Sequence, residues 1–283
     1  MKLKNHIEAA KEGKYALGQF NFSTVNQMKG IVKAAKERQV PVILGTSEGE
    51  SGFLGLKEAV ALRDALRETY PEIFLNLDHG SDLKWVEKAI DAGYDMIHFD
   101  GSDLPLEENI EKTKAVVEII SKKGKNLVVE GELGRVGGSS GVHKKAPEKT
   151  KNLTSTKTLV KFISETGIDL CAFSIGNIHG VYSEAPHLDF DLLNEINQIS
   201  PVGLVMHGGS GIKDTDMKKA IEKGVVKVNV NTELRKVWRE EIERSFKDNP
   251  EAVTPYKLLS GVSDQIFKKV IEKINIFYEG NIR

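Results

Sequence analysis

Short apolar runs recur along the chain at Ala16–Phe20, Val40–Gly45, Ile73–Leu77, Met96–Phe99, Leu127–Val129, Leu170–Ile175, Gly203–Met206 and Val225–Val230. Each is too short for a helix and rich in Val, Ile or Leu, as buried strands are. Between them the apolar positions switch to a helical period, over Val25–Arg38, Leu56–Glu68, Leu83–Ala92, Leu106–Lys123, Thr156–Thr166, Phe190–Ile199, Asp214–Lys223 and Glu233–Phe246. Strict alternation of strand and helix predicts a parallel sheet. Several junctions carry a glycine or proline, as in Ala92-Gly93-Tyr94-Asp95, Thr166-Gly167-Ile168-Asp169, Lys223-Gly224-Val225 and Gln39-Val40-Pro41. A left-handed glycine cap turns a helix back into a strand. No Gly-x-Gly-x-x-Gly follows the first strand at Phe20, so eight such units predict a closed α/β barrel, (β/α)8 or TIM type, over a doubly wound sheet.

Nothing resembling a linker or low-complexity tract divides residues 1–283, which read as a single barrel domain. Two segments fall outside the alternation. Gly134–Thr154, glycine-rich and then lysine-rich, predicts a mobile loop over the functional face. Asp264–Tyr278 predicts an additional C-terminal helix, packed outside the barrel or against a partner subunit.

Composition narrows the function. With 40 basic and 41 acidic residues the net charge is −1, which excludes a basic nucleic-acid-binding surface and makes any phosphate recognition local. A single cysteine, Cys171, cannot form an internal disulfide. The opening Met1-Lys2-Leu3-Lys4-Asn5-His6 has no apolar signal core, and no apolar run is long enough to span a membrane. The expectation is a cytoplasmic protein without membrane or nucleic-acid partners.

In such a barrel chemistry gathers at the C-terminal ends of the strands. Those ends carry Asn21, Ser47, Asp78-His79, Asp100, Glu130 and Glu132, His179, His207 and Asn229-Val230-Asn231-Thr232. Any one histidine here reads as a hydrogen-bonded loop residue, but His79, His179 and His207 together can converge on a divalent metal, zinc by default. His98 reads as a satisfied core histidine, and His6, His143 and His187 as surface residues. Asp78 precedes His79, so their side chains diverge unless the strand has ended and the chain turns. With that turn, one binds metal while Asp78 faces substrate as an acid or base. The glycines around His179 and His207, with Asn229 and Thr232, can cradle a phosphate without a basic patch.

Leu77-Asp78-His79-Gly80, Asp100-Gly101-Ser102, Glu130-Gly131-Glu132-Leu133-Gly134, Gly176-Asn177-Ile178-His179-Gly180-Val181-Tyr182, His207-Gly208-Gly209-Ser210-Gly211 and Lys227-Val228-Asn229-Val230-Asn231-Thr232-Glu233 resemble, in order, the motifs of class II fructose-bisphosphate and tagatose-bisphosphate aldolases. Gly18-Gln19-Phe20-Asn21 is similar too, and the resemblance runs from about Leu3 to the last helix. It implies zinc-dependent, reversible aldol cleavage of a ketose bisphosphate, with dihydroxyacetone phosphate and an aldehyde as partners. It also implies a homodimer or higher homo-oligomer. His79, His179 and His207 match the catalytic zinc ligands, and Asp100 and Glu132 match positions that hold a second or displaced divalent metal. Gly180, Gly208, Gly209, Ser210, Asn229, Val230, Asn231 and Thr232 match the dihydroxyacetone phosphate site. Asn21 and Ser47 match further substrate contacts, and a monovalent cation is often used. Asp78 matches the residue that exchanges a proton with the C4 hydroxyl.

Three departures stand out. Gly137-Gly138 is followed by Ser139-Ser140 where the family has a loop acid, and Glu148 is the candidate substitute. Ser183-Glu184-Ala185-Pro186 resembles the tagatose-bisphosphate pattern, whereas Asn231 favours fructose bisphosphate. Tyr256 and Ser263 stand where arginines for the second phosphate are expected, leaving Lys257 or Arg235 for that role. A metal-dependent hydrolase is the rival enzyme class, disfavoured because no His-x-His occurs; a non-catalytic sugar-phosphate-binding relative is the other rival.

Overall fold

The computed structural model describes residues 1–145 and 153–280. Its strands are β1 (Leu17–Asn21), β2 (Val42–Ser47), β3 (Ile73–Gly80), β4 (Met96–Phe99), β5 (Val128–Leu133), β6 (Gly137–Val142), β7 (Leu170–Phe173), β8 (Ile178–Val181), β9 (Gly203–Met206) and β10 (Val225–Val230). Its helices are α1 (Leu3–Gly13), α2 (Val25–Arg38), α3 (Glu48–Leu54), α4 (Leu56–Arg67), α5 (Leu83–Ala92), α6 (Leu106–Lys122), α7 (Thr156–Thr166), α8 (Phe190–Ile199), α9 (Asp214–Glu222), α10 (Thr232–Asp248), α11 (Pro255–Leu258) and α12 (Val262–Phe277). All strands except β6 and β8 close into one parallel barrel, ordered β1-β10-β9-β7-β5-β4-β3-β2.

Local chemistry explains the joints. Thr24 opens α2 with a capping box closed by Gln27, and Ser47 opens α3 with one closed by Glu50. The expected left-handed caps form at Gly93 (φ 107°) and Gly167 (φ 73°), while Gln39 takes the same conformation without being glycine. The apolar core lies between barrel and helices. At Gly131 an added Cβ would meet the Phe162 ring of α7 at 2.9 Å, so that parity of β5 faces outward and Glu130 and Glu132 face in. The barrel interior is correspondingly polar: Gln19, Asn76, His98, Glu130 and Lys227 are all fully buried.

Several elements were not legible as periodic runs: α1, α3, α11 and the pair β6–β8. The predicted loop over 134–154 instead begins with β6, which pairs in parallel with β8 through Gly137↔Ile178 and Gly138↔His179. Glu148 lies outside the described residues. His6 is a correction to the surface assignment: it is 6% exposed, edge-on to Phe74 and bonded to Glu72. No helix among the described residues is long and apolar enough to cross a membrane.

The C-terminal helix packs outside the barrel, chiefly on α2. Val262, Ile266, Val270, Ile274 and Phe277 are all buried within the chain itself, and Phe277 stacks on Phe20 of β1. These apolar positions are therefore not a face held in reserve for a partner subunit. The helices approach closely because α2 carries Gly30, where an added Cβ would lie 2.5 Å from the Ser263 carbonyl oxygen and 2.9 Å from Ile266 Cβ. Gly30→Ala gains about 1 kcal/mol of helix propensity yet is expected to lower stability by about 1–3 kcal/mol through overpacking. Urea unfolding measures the sign; a stabilised variant would show that the α2–α12 contact yields.

Candidate active site

The site begins with a backbone reversal. His79 has φ +52°, and the pairing of β3 with β4 slips between Leu77 and Gly80. That bulge breaks the alternation of a strand, so adjacent Asp78 and His79 both reach the rim. They line a cleft of about 450 Å³ with Asn21, Ser47, His179, Gly180, His207, Gly208, Ser210, Asn229, Asn231 and Thr232, joined by Ser140 from β6 and Arg235 from α10.

Asp78 is 4% exposed and held from two sides: Asn21 Nδ2 donates to Oδ2 at 2.8 Å and Asn229 Nδ2 to Oδ1 at 3.0 Å. Burial pushes its carboxyl up, but the charge of His79 and the neighbouring His98 and His207 outweigh this and hold it well below the usual range. Asp78 is an ionised acceptor whose orientation is fixed.

The imidazoles are arranged by carboxylates behind them. His79 Nδ1 lies 2.7 Å from Asp100 Oδ2, and His207 Nε2 lies 2.7 Å from Glu130 Oε1. With those nitrogens engaged, His79 Nε2 and His207 Nδ1 are left facing each other at 3.1 Å. His179 completes the group, its ring centre 5.0 Å from that of His79 and 5.9 Å from that of His207. Burial and the charges of His79 and His207 push His179 down to about 3, so it is a neutral donor at neutral pH. Burial likewise lowers His207.

These residues fit a divalent cation. Two nitrogens bound to one tetrahedral ion at about 2.1 Å are about 3.4 Å apart, close to the separation found. Histidines whose remaining nitrogen is tied to a carboxylate are the usual pattern of metal ligands. Glu132 Oε2, 3.7 Å from His79 Nδ1, is buried without a hydrogen-bond partner, an orphaned acceptor that a cation would satisfy. The ligand atoms of His79, Asp100 and Glu132 lie within 4.8 Å of one another, as do those of Asp78, His79, His98 and His207. His98, however, accepts the His79 backbone N–H through Nδ1 at 3.0 Å, and its Nε2 points at Glu132. Neither nitrogen is turned toward the cleft.

Not every predicted contact reaches the cleft. The Gly209 N–H donates to the Asn229 carbonyl at 3.0 Å, and Val230 is a fully buried strand residue; neither lines it. Ser183 is exposed and Tyr256 is 75% exposed, away from the cleft, as is Lys257. His187 is exposed and His143 stacks on Tyr182. Gly208 (φ +68°) does shape the cradle, since a Cβ there would lie 2.2 Å from the Ile178 carbonyl oxygen.

Two buried charges were missed. Glu50, 8% exposed, accepts from Asn21 Nδ2 at 3.0 Å, the Ser47 N–H at 2.9 Å and Arg235 Nη2 at 2.6 Å. Its signal was the capping-box spacing Ser47-x-x-Glu50. Lys227, fully buried, contacts Glu130 and Asn229. Its signal was a lone charge inside an apolar strand.

A closed parallel barrel with converging imidazoles and carboxylates at its strand ends is the architecture of a barrel enzyme. Residues 1–281 match the family described as fructose-bisphosphate aldolase class-II, and the chain belongs to that family, as an aldolase of the lyase class. It is 35% identical to the sulfofructosephosphate aldolase of Alkalicoccus urumqiensis over 98% of this chain and 96% of that protein. It is 36% identical to the probable fructose-bisphosphate aldolase of Bacillus subtilis (strain 168), over 97% and 96% respectively. Its fold superposes on the YdjI aldolase of Escherichia coli K12 with a TM-score of 0.83 and 26% identity, covering 100% of this chain and 99% of that one.

Glu50→Ala would leave the Arg235 guanidinium without its carboxylate partner and the buried Asn21 amide with one acceptor fewer. The expected loss is about 2 kcal/mol of stability, read by urea unfolding. Unchanged stability would mean that the Glu50 contacts contribute nothing net.

Proposed function

We propose that the chain catalyses the reversible, zinc-dependent cleavage of a ketose bisphosphate, fructose 1,6-bisphosphate to dihydroxyacetone phosphate and glyceraldehyde 3-phosphate. The observation that carries this reading is Asp78, a buried carboxylate gripped by two amides and opening on the same cleft as His79, His179 and His207. Those three histidines would hold the zinc, with Asp100 and Glu132 as the second position for a divalent ion. When bound, the cation supplies Lewis-acid stabilisation of the negative charge left on the three-carbon fragment.

Asp78 takes the proton from the C4 hydroxyl as the C3–C4 bond breaks and returns it to the aldehyde oxygen on condensation. The amides of Asn21 and Asn229 keep its oxygens aimed at that proton. Asn231 Oδ1, buried without a partner on the cleft wall, is an acceptor for a sugar hydroxyl. Gly180, Gly208, Ser210 and Thr232 bind the phosphate of the dihydroxyacetone half, where the positive N-terminal end of α10 opens on the cleft.

A ketose phosphate with another anionic end is the second reading. Histidines aside, Arg235 is the one basic residue lining the cleft among the described residues, and a guanidinium serves a phosphate or a sulfonate equally. The relative named for sulfofructose phosphate is about as similar to this chain as the one named for fructose bisphosphate.

The deciding assay cleaves fructose, tagatose and sulfofructose phosphates in parallel, with zinc and with a chelator. Chelator-sensitive release of a triose phosphate from fructose 1,6-bisphosphate is expected; zinc-loaded protein that cleaves none of them would overturn the reading. Asp78→Ala is expected to lower kcat by about 10³-fold while retaining bound zinc, because the proton carrier is lost and the imidazoles are not. His207→Ala is expected to lose zinc on dialysis, measured by elemental analysis; retention at the wild-type level would remove His207 from the ligand set.

A further inference from the structure

We propose that Lys227 is a positioning residue that orients His207 and Asn229 together, and through them the cation site and Asp78. The lysine is fully buried on β10 and does not line the cleft. Its ammonium lies 2.8 Å from Glu130 Oε2 and 2.7 Å from Asn229 Oδ1. An ammonium only donates, so it fixes which end of the Asn229 amide faces it. The NH2 end is thereby turned toward Asp78 Oδ1, 3.0 Å away.

The same logic runs through Glu130. Lys227 occupies one carboxylate oxygen and leaves the other, Oε1, for His207 Nε2 at 2.7 Å. A carboxylate only accepts, so Nε2 carries the proton and Nδ1 keeps its lone pair on the side of His79. One cation thus sets a ring tautomer and the orientation of the neighbouring amide, whose Nδ2 lies 3.2 Å from His207 Nε2. The other grip on Asp78 is oriented without Lys227: Asn76 donates to Gln19 Oε1 at 2.8 Å, Gln19 donates to Asn21 Oδ1 at 3.3 Å, and Asn21 Nδ2 also donates to the Glu50 carboxylate at 3.0 Å. Only the Asn229 side is tied to the histidine cluster.

Removing the ammonium leaves Glu130 as a buried anion without its counterion and Asn229 Oδ1 without a donor, so neither group is held in place. The catalytic part of the inference rests on the aldolase reading above; the tautomer and zinc affinity do not. In zinc-loaded, 15N-histidine-labelled wild-type protein, His207 is expected to be coordinated through Nδ1 and protonated on Nε2. In Lys227→Met, and in Lys227→Gln as a second variant, zinc affinity by chelator competition is expected to weaken about 10–100-fold. At saturating zinc, kcat is expected to fall at least about tenfold with KM within about threefold of wild type. A wild-type His207 protonated on Nδ1 would overturn the proposal, even if neither variant folds. So would a folded variant with wild-type zinc affinity and kcat, because a merely structural lysine moves stability alone. A wild-type protein that cleaves no ketose phosphate, yet shows the expected tautomer and the weakened zinc binding in the variants, removes the aldolase reading and leaves the positioning role standing.

Discussion

The structure depends on keeping a cluster of opposite charges inside a closed barrel, where water cannot solvate them. Asp78, Glu130, Glu132, His98 and Lys227 are each less than 9% exposed, and the neutral His207 ring is packed among them. An isolated ion in such a place costs several kcal/mol, so each must be matched by a neighbour. Glu130 shows the balance: burial alone raises its carboxyl, and the Lys227 ammonium, with His98 and His207, holds it far below the usual range. The polar interior is therefore a single interlocked unit, and a change in one member reaches the others.

That unit fixes what surrounds it. The reversed backbone at His79 is tolerated because the ring is engaged by Asp100 on one side and His207 on the other. The β6–β8 pair brings the Ser140 carbonyl oxygen within 3.3 Å of Arg235 Nη1, so β6 lies against the rim. Glu50 then joins Arg235 to Asn21 and thus to Asp78. Arg235, the candidate for a second anionic group, and Asp78 are three hydrogen bonds apart.

The departures in the motifs acquire different weights in this setting. Ser140 lines the cleft whereas the Ser139 hydroxyl lies 3.4 Å from His143 Nε2, and serine cannot replace an acid as a proton carrier at neutral pH. Tyr256 faces solvent, and its substitution for arginine removes a charge without reshaping the cleft. Arg235 sits on the first turn of α10, whose N-terminal end also borders the phosphate cradle. On the proposed reading, one helix start would therefore serve both ends of the substrate.

The barrel was legible in the chain because strand and helix periods differ and each apolar run marks one buried layer. The rim residues were legible because the polar end of each run falls at its C-terminal side. Short elements such as α3 and β6 were not, since Glu48–Leu54 and Gly137–Val142 are mostly glycine and polar residues without an apolar run, and β6 exists only through pairing with β8. Whether Asp78 and His79 share a face could not be read from their adjacency; a positive φ held by contacts from other strands decided it. Glu50 and Lys227 matter through partners 29 and 97 residues away, Asn21 and Glu130. Such pairings are set by the closure of the barrel, which places distant strands side by side, and local sequence determines only which residue types arrive there.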